Sequence, residues 1–122
     1  GHRAAGLASL LLTTTGRRSG SRRTVALTYV PDGTDYVVVA SNGGADRPPA
    51  WWLNLQATPE ATVEVGPDVV PIVARTADPD ERQRLWSMLT AAIPFYTRYE
   101  ELTARAIPVV ILRPRSPSQP TP

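Results

Sequence analysis

The shortness of the connections between strand-like runs most constrains what this chain can fold into. Leu10–Thr14, Thr24–Val30 and Asp35–Ser41 each read as a strand, the last carrying the apolar run Tyr36–Ala40. Only the polar segment Thr15–Arg23 and the turn Pro31–Thr34 separate them. Glu60–Gly66 and Val69–Thr76 flank Pro67 and Asp68 in the same way, and Ile107–Leu112 reads as a last strand. A parallel pair needs a crossover of a dozen or more residues, so these neighbours must pair antiparallel, with hairpins at 31–34 and 67–68.

Helical signals are few. Ala50–Ala57 follows Pro49, a residue suited to a helix start. Asp78, Pro79 and Glu81 spell an N-cap, a first-position proline and a capping box. Leu85, Leu89, Ala92 and Ile93, with Trp86 beside them, supply that helix's apolar face until Pro94 interrupts it. Phe95–Ala104 reads as a further short helix. The expected fold is mainly β with helices (α+β): a small barrel of about six antiparallel strands.

At 122 residues one domain is expected. Its barrel should span residues 10–113, after an N-terminal segment 1–9 whose Gly1 and His2 look like the remnant of a cleaved tag. The proline- and serine-rich residues 114–122 read as a disordered tail. There is no cysteine, and His2 is the single histidine. Disulfide frameworks, thiolate nucleophiles, Ser-His-Asp triads and His or Cys metal sites are thereby excluded, and no metal is expected. An enzyme built this way would take its chemistry from a cofactor. No stretch reaches the roughly 18 apolar residues of a membrane helix. The expected location is the cytoplasm, with peripheral contact at the inner membrane face if an amphipathic segment precedes residue 1.

All 13 basic residues are arginine, and the net charge is only +2. The distribution is uneven. Residues 1–31 hold five arginines and no acid, whereas residues 32–122 hold eight arginines against eleven acids. Four arginines, at 17, 18, 22 and 23, sit among Gly16, Ser19, Gly20 and Ser21. Guanidinium forks and free backbone N–H groups in one loop suit phosphate or carboxylate. The plainer alternative is a solvated basic loop. The glycine spacing is not that of a P-loop, and no aromatics interleave with the arginines, so nucleic acid is not the expected partner.

Three further segments carry both a structural and a functional reading. Val39–Gly44 runs from a strand into small residues, and either simply ends the strand or lets a flat ring approach the backbone. Trp51 and Trp52 point about 100° apart on a helix, so either both pack, or one packs in the core while the other lines a ligand groove. Tyr96 and Tyr99 share a helix face and either pack or stack on a ligand ring.

Taken in order, these segments resemble the deazaflavin-dependent nitroreductase family of actinobacteria. The matching text is residues 11–20, residues 39–44, Pro49–Leu55, residues 80–82 and residues 107–110. The resemblance covers Leu10 to Pro114. It implies a split β-barrel related to FMN-binding enzymes, with coenzyme F420, an 8-hydroxy-5-deazaflavin bearing a phosphate and an oligoglutamate tail. It implies that Arg17, Arg18 and Arg23, next to Thr15, meet the tail. Thr28, Val39, Ala40, Ser41, Asn42, Trp51 and Tyr99 would complete the coenzyme site. The implied reaction is hydride transfer from the reduced coenzyme to a quinone, nitro-compound or activated enone. In it Ser41 would polarise the acceptor oxygen, and Tyr96 would shape the acceptor pocket and donate a proton unless solvent does so. Ile93 and Thr28 stand where nitro-reducing members carry tyrosine, which opens and depolarises the acceptor side, and Asn42 stands where some carry lysine. The competing expectations are an FMN-dependent enzyme on the same fold and a non-enzymatic deazaflavin carrier. The chain is expected to be a monomer or homodimer.

Overall fold

The computed structural model describes residues 8–42, 45–103 and 106–115. Six strands form a closed barrel: β1 Ala8–Thr15, β2 Arg22–Asp32, β3 Asp35–Val39, β4 Glu60–Val65, β5 Asp68–Thr76 and β6 Val109–Pro114. Their order around the barrel is β1-β2-β3-β6-β5-β4, with β4 closing on β1, and every pairing is antiparallel. Helix α1, Ala50–Ala57, follows β3, and α2, Pro79–Ala92, follows β5. A 3-10 turn, Pro94–Tyr96, leads into α3, Thr97–Leu102. The fold is that of a split β-barrel. No helix among the described residues is long and apolar enough to cross a membrane.

Two cores stabilise it. Inside the barrel Leu12, Val38, Val63, Ile72, Val110 and Leu112 pack with Trp51 and Leu55 of α1. Outside, Val37, Val39, Val109 and Ile111 meet Leu85 and Leu89 of α2. Successive strand residues face opposite sides, so β3 and β6 are buried on both faces. That is why their sequences are unbroken apolar runs and not alternating ones.

Local chemistry sets the helix starts. The Asp78 carboxylate accepts the Glu81 backbone N–H at 2.9 Å, and Glu81 accepts the Asp78 N–H at 3.2 Å, completing the expected capping box. Arg75 of β5 grips Glu81 through two hydrogen bonds of 2.6 and 2.7 Å. Arg84 ties α2 to Asp32, and Arg113 ties β6 to Asp35.

The hairpin turns fall at 33–34, within the expected 31–34, and at 66–67, one residue before the expected 67–68, and helix α1 lies where the sequence places it. Three differences are physical. β2 is longer than the Thr24–Val30 expected, because Arg22 and Arg23 extend the ladder opposite Thr15 and Thr14. The arginine loop is therefore a tight turn over residues 16–21. The last strand starts at Val109, two residues late, because Ile107 and Pro108 serve other contacts. The Ile107 carbonyl accepts from the Arg82 guanidinium, and that of Pro108 accepts from the Ala40 N–H. Phe95–Ala104 divides into the 3-10 turn and α3, since Pro94 has no N–H to continue α2. Residues 1–7 and 116–122, which hold most of the expected N-terminal segment and tail, lie outside the described residues, as do Gly43 and Gly44.

Candidate functional site

A groove of about 710 Å³ opens where the β1–β2 turn, the end of β3 and the start of α1 meet. Its size is that of a cavity for a cofactor-sized ligand. Arg17, Arg18 and Arg23 line one part of it, while Val25, Leu27, Val39 and Trp51 give it an apolar wall. Ser41 and Asn42 also border it.

The basic side is built by the turn. The Gly16 N–H donates to the Ser21 carbonyl at 2.7 Å, and the Gly20 N–H to the Gly16 carbonyl at 2.8 Å. A Cβ at Gly16 would lie 3.0 Å from Ser19 Oγ and 3.1 Å from the Ser21 carbonyl. Gly20 takes a left-handed φ of +75°, which a side chain would strain. These contacts close the turn tightly and leave its arginines projecting outward.

Arg17 is held further. Its backbone N–H and its Nη1 both donate to Asn54 Oδ1 at 3.1 Å, and Asn54 Nδ2 donates to Thr14 Oγ1 at 3.1 Å. Asn54 and Thr14 are both buried. On α1, Trp51, Asn54 and Leu55 occupy positions i, i+3 and i+4 and so form the helix's buried face. Asn54 belongs to this site although no sequence motif singles it out. Its signal was a polar side chain on the apolar stripe of a short helix.

The arginines divide by partner. Arg75, Arg84 and Arg113 each pair with a carboxylate. Arg17, Arg18, Arg22 and Arg23 form no ion pair among the described residues. Uncompensated guanidinium charge at a groove mouth attracts anions.

Of the expected site residues, the groove brings together Arg17, Arg18, Arg23, Val39, Ser41, Asn42 and Trp51. Asn42 sits at a left-handed φ of 49°, and its Nδ2 donates to the Arg47 carbonyl at 3.0 Å. Trp51 both packs in the inner core and faces the groove, whereas Trp52 turns its Nε1 to Thr76 Oγ1 at 3.3 Å. Ala40 lies behind the wall, fully buried. Thr15 pairs with Arg22 and faces a different cleft. Thr28 pairs with Ser9 in the β1–β2 ladder, away from the groove wall.

Tyr96 and Tyr99 are not on the groove wall either. Tyr96 stacks on Trp86 at 6.5 Å and leans on Tyr99 at 5.5 Å, against the outer core. Burial, and then the neighbouring Tyr99, pushes the Tyr96 hydroxyl above its usual range, so the phenol stays neutral. Ile93 ends α2, buried.

A closed barrel with a basic turn and an aromatic-aliphatic wall around one mouth groove places this chain among the split-barrel coenzyme-binding proteins. The profile of F420H(2)-dependent quinone reductases matches residues 1–114. An F420H(2)-dependent quinone reductase of Mycobacterium tuberculosis is 42% identical over 119 residues, covering 94% of this chain and 80% of that protein. The structure of an F420-H2 dependent reductase, FDR-A, superposes with a TM-score of 0.79 at 38% identity, covering 87% of this chain and 94% of that one. A domain-swapped dimer superposes with a TM-score of 0.80, also at 38% identity, over 87% of this chain and 80% of that one. The chain belongs to the F420H(2)-dependent quinone reductase family.

Proposed function

We propose that this chain is a reductase that takes F420H2 as its hydride source and a quinone as its acceptor. The observation that carries this reading is the convergence on one groove of an apolar wall and three guanidiniums that form no ion pair among the described residues. That pairing of features fits a flat ring with an anionic tail. When bound, the reduced deazaflavin supplies a hydride to the acceptor. Arg17, Arg18 and Arg23 hold the phosphate and tail carboxylates, with Arg17 already oriented by Asn54. Val39 and Trp51 pack on the ring and keep water from it. Ser41, two residues past the end of β3, polarises the acceptor oxygen. Solvent supplies the proton, and Tyr96 holds α3 to α2 without a role at the ring.

The test is titration of the coenzyme, read by quenching of tryptophan fluorescence. Replacing Arg17, Arg18 and Arg23 together with alanine should weaken binding by more than about a hundredfold at low salt, because hydrogen bonds to charged groups carry about 1.5–3 kcal/mol each. The loss should shrink as salt screens the pairs. Unchanged affinity would remove the arginines from the site. FMN, with one phosphate and no glutamate tail, should bind more weakly. Binding without quinone reduction would mark a carrier instead of an enzyme.

The same reading extends to assembly and location. A homodimer is the assembly we propose, in keeping with the domain-swapped relative, and light scattering decides it. Peripheral contact with a quinone-bearing membrane is the location we propose, and co-sedimentation with vesicles decides it.

A further inference from the structure

Two segments off the groove wall, residues 80–82 and 107–108, meet at Arg82. Its Nε and Nη2 both donate to the Ile107 carbonyl, at 3.2 and 2.9 Å. The guanidinium also lies over the Trp86 ring, 4.9 Å from the centroid. Trp86 is itself fixed, its Nε1 donating to Glu100 Oε1 at 3.1 Å and its ring stacking on Tyr96. Unlike Arg75, Arg84 and Arg113, Arg82 forms no ion pair among the described residues. Its charge is directed at one peptide carbonyl. Ile107 is buried, so that carbonyl needs a protein partner, and Arg82 supplies it. The ring of Pro108 fixes its own φ. Val109 is held opposite Val39, and its carbonyl accepts the Ala77 N–H at 2.8 Å. Little rotation is left between the Ile107 carbonyl and that of Pro108. The Pro108 carbonyl accepts the Ala40 N–H at 2.9 Å, just past the end of β3. Ala40 is fully buried behind the groove wall, and the next residue, Ser41, borders the groove.

We propose that Arg82 is a positioning residue for the reductase reaction: its grip on Ile107 seats Pro108 against Ala40 and so sets where Ser41 stands at the groove. The inference rests on the role given to Ser41 above. The planar guanidinium suits the task, because two donors on one carbonyl fix the direction of the peptide as well as its distance. Stacking on Trp86 keeps the fork in its plane. Helix α2 thereby acts on the reacting end of the groove from behind the wall, without touching coenzyme or acceptor.

The test reads the coupling as hydrogen exchange at the Ala40 amide, followed by NMR in the free protein, and then its effect on quinone reduction. Arg82→Met keeps a stem over Trp86 and removes every donor. In it Ala40 exchange should rise about tenfold or more relative to the amides of the β1–β2 ladder. The kcat should fall about tenfold, as it does when a reacting group is misplaced from a distance. Coenzyme affinity should stay within about threefold, since the arginine turn that carries it is untouched. Arg82→Lys, with the charge but not the fork, should fall between Met and wild type. Arg84→Met, on the same helix, gives up the Asp32 ion pair and should leave Ala40 exchange and kcat at wild-type values. Thermal melts confirm that each variant is folded. Unchanged Ala40 exchange in Arg82→Met overturns the proposal, and so does an equal rise in Arg84→Met, which would mean a general loosening of α2. Raised exchange with wild-type kcat overturns the role in the reaction. Ser41→Ala then separates the two readings: a lowered kcat there removes Arg82 alone, and a wild-type kcat there removes Ser41 with it.

Discussion

At the scale of single residues, Asn54 engages both ends of its amide. The oxygen accepts twice from Arg17, and the nitrogen donates to Thr14. Leucine at this position would fill a similar volume, leave the buried Thr14 hydroxyl without its donor and release Arg17. Asn54→Leu should therefore lower stability by about 1–3 kcal/mol in urea titration, the cost of unpaired buried polar groups. It should also weaken coenzyme binding in the protein that remains folded. Full affinity in a folded Asn54→Leu protein would show that Arg17 needs no such brace. The opposite case is Tyr96. Its pairing with Tyr99 was visible in the sequence spacing, but the surface this pair meets was not. Trp86 of α2, ten residues away, supplies the partner ring that draws it from the groove.

At the scale of elements, helix α2 is anchored by its first turn. Arg75, and then the Asp78 backbone N–H, hold the Glu81 carboxyl at about 2, well below its ordinary 4.5. A depressed carboxyl favours the folded state above its unfolded pKa and loses that contribution as pH falls toward the folded value. Stability should thus decline as pH drops from 4.5 to about 2. Glu81→Gln should flatten that limb in denaturation curves collected at successive pH values. An unaltered acid limb would show that other carboxylates dominate it. This cap was fully legible in the sequence, because Asp78, Pro79 and Glu81 act on backbone groups within three residues. The hairpins were legible for the same reason. The extension of β2 through Arg22 and Arg23 was not, since a ladder position depends on the partner strand and not on the propensity of arginine.

At the scale of the whole molecule, the groove is assembled from the β1–β2 turn, the end of β3 and the start of α1, so a ligand filling it should couple these elements. Coenzyme at a hundred times its dissociation constant should add about 2.7 kcal/mol of stability. For a domain of this size that corresponds to a rise in Tm of roughly 8–10 °C. The rise should shrink to less than about 2 °C at the same coenzyme concentration in the Arg17, Arg18, Arg23 triple alanine variant, and scanning fluorimetry reads both.

The amino-acid sequence by itself determined the antiparallel pairing, the positions of two hairpins, the cap of α2 and a basic turn suited to an anion. Each depends on turn geometry, capping or charge density among residues close in the chain. Barrel closure decided the rest. It set Asn54 against Arg17, 37 residues apart, turned Trp51 to both core and groove, and drew Tyr96 and Tyr99 onto α2. It also sent Arg22 and Arg23 to opposite faces of one strand. Those outcomes follow from which surfaces meet once the sheet closes, and no local pattern encodes that.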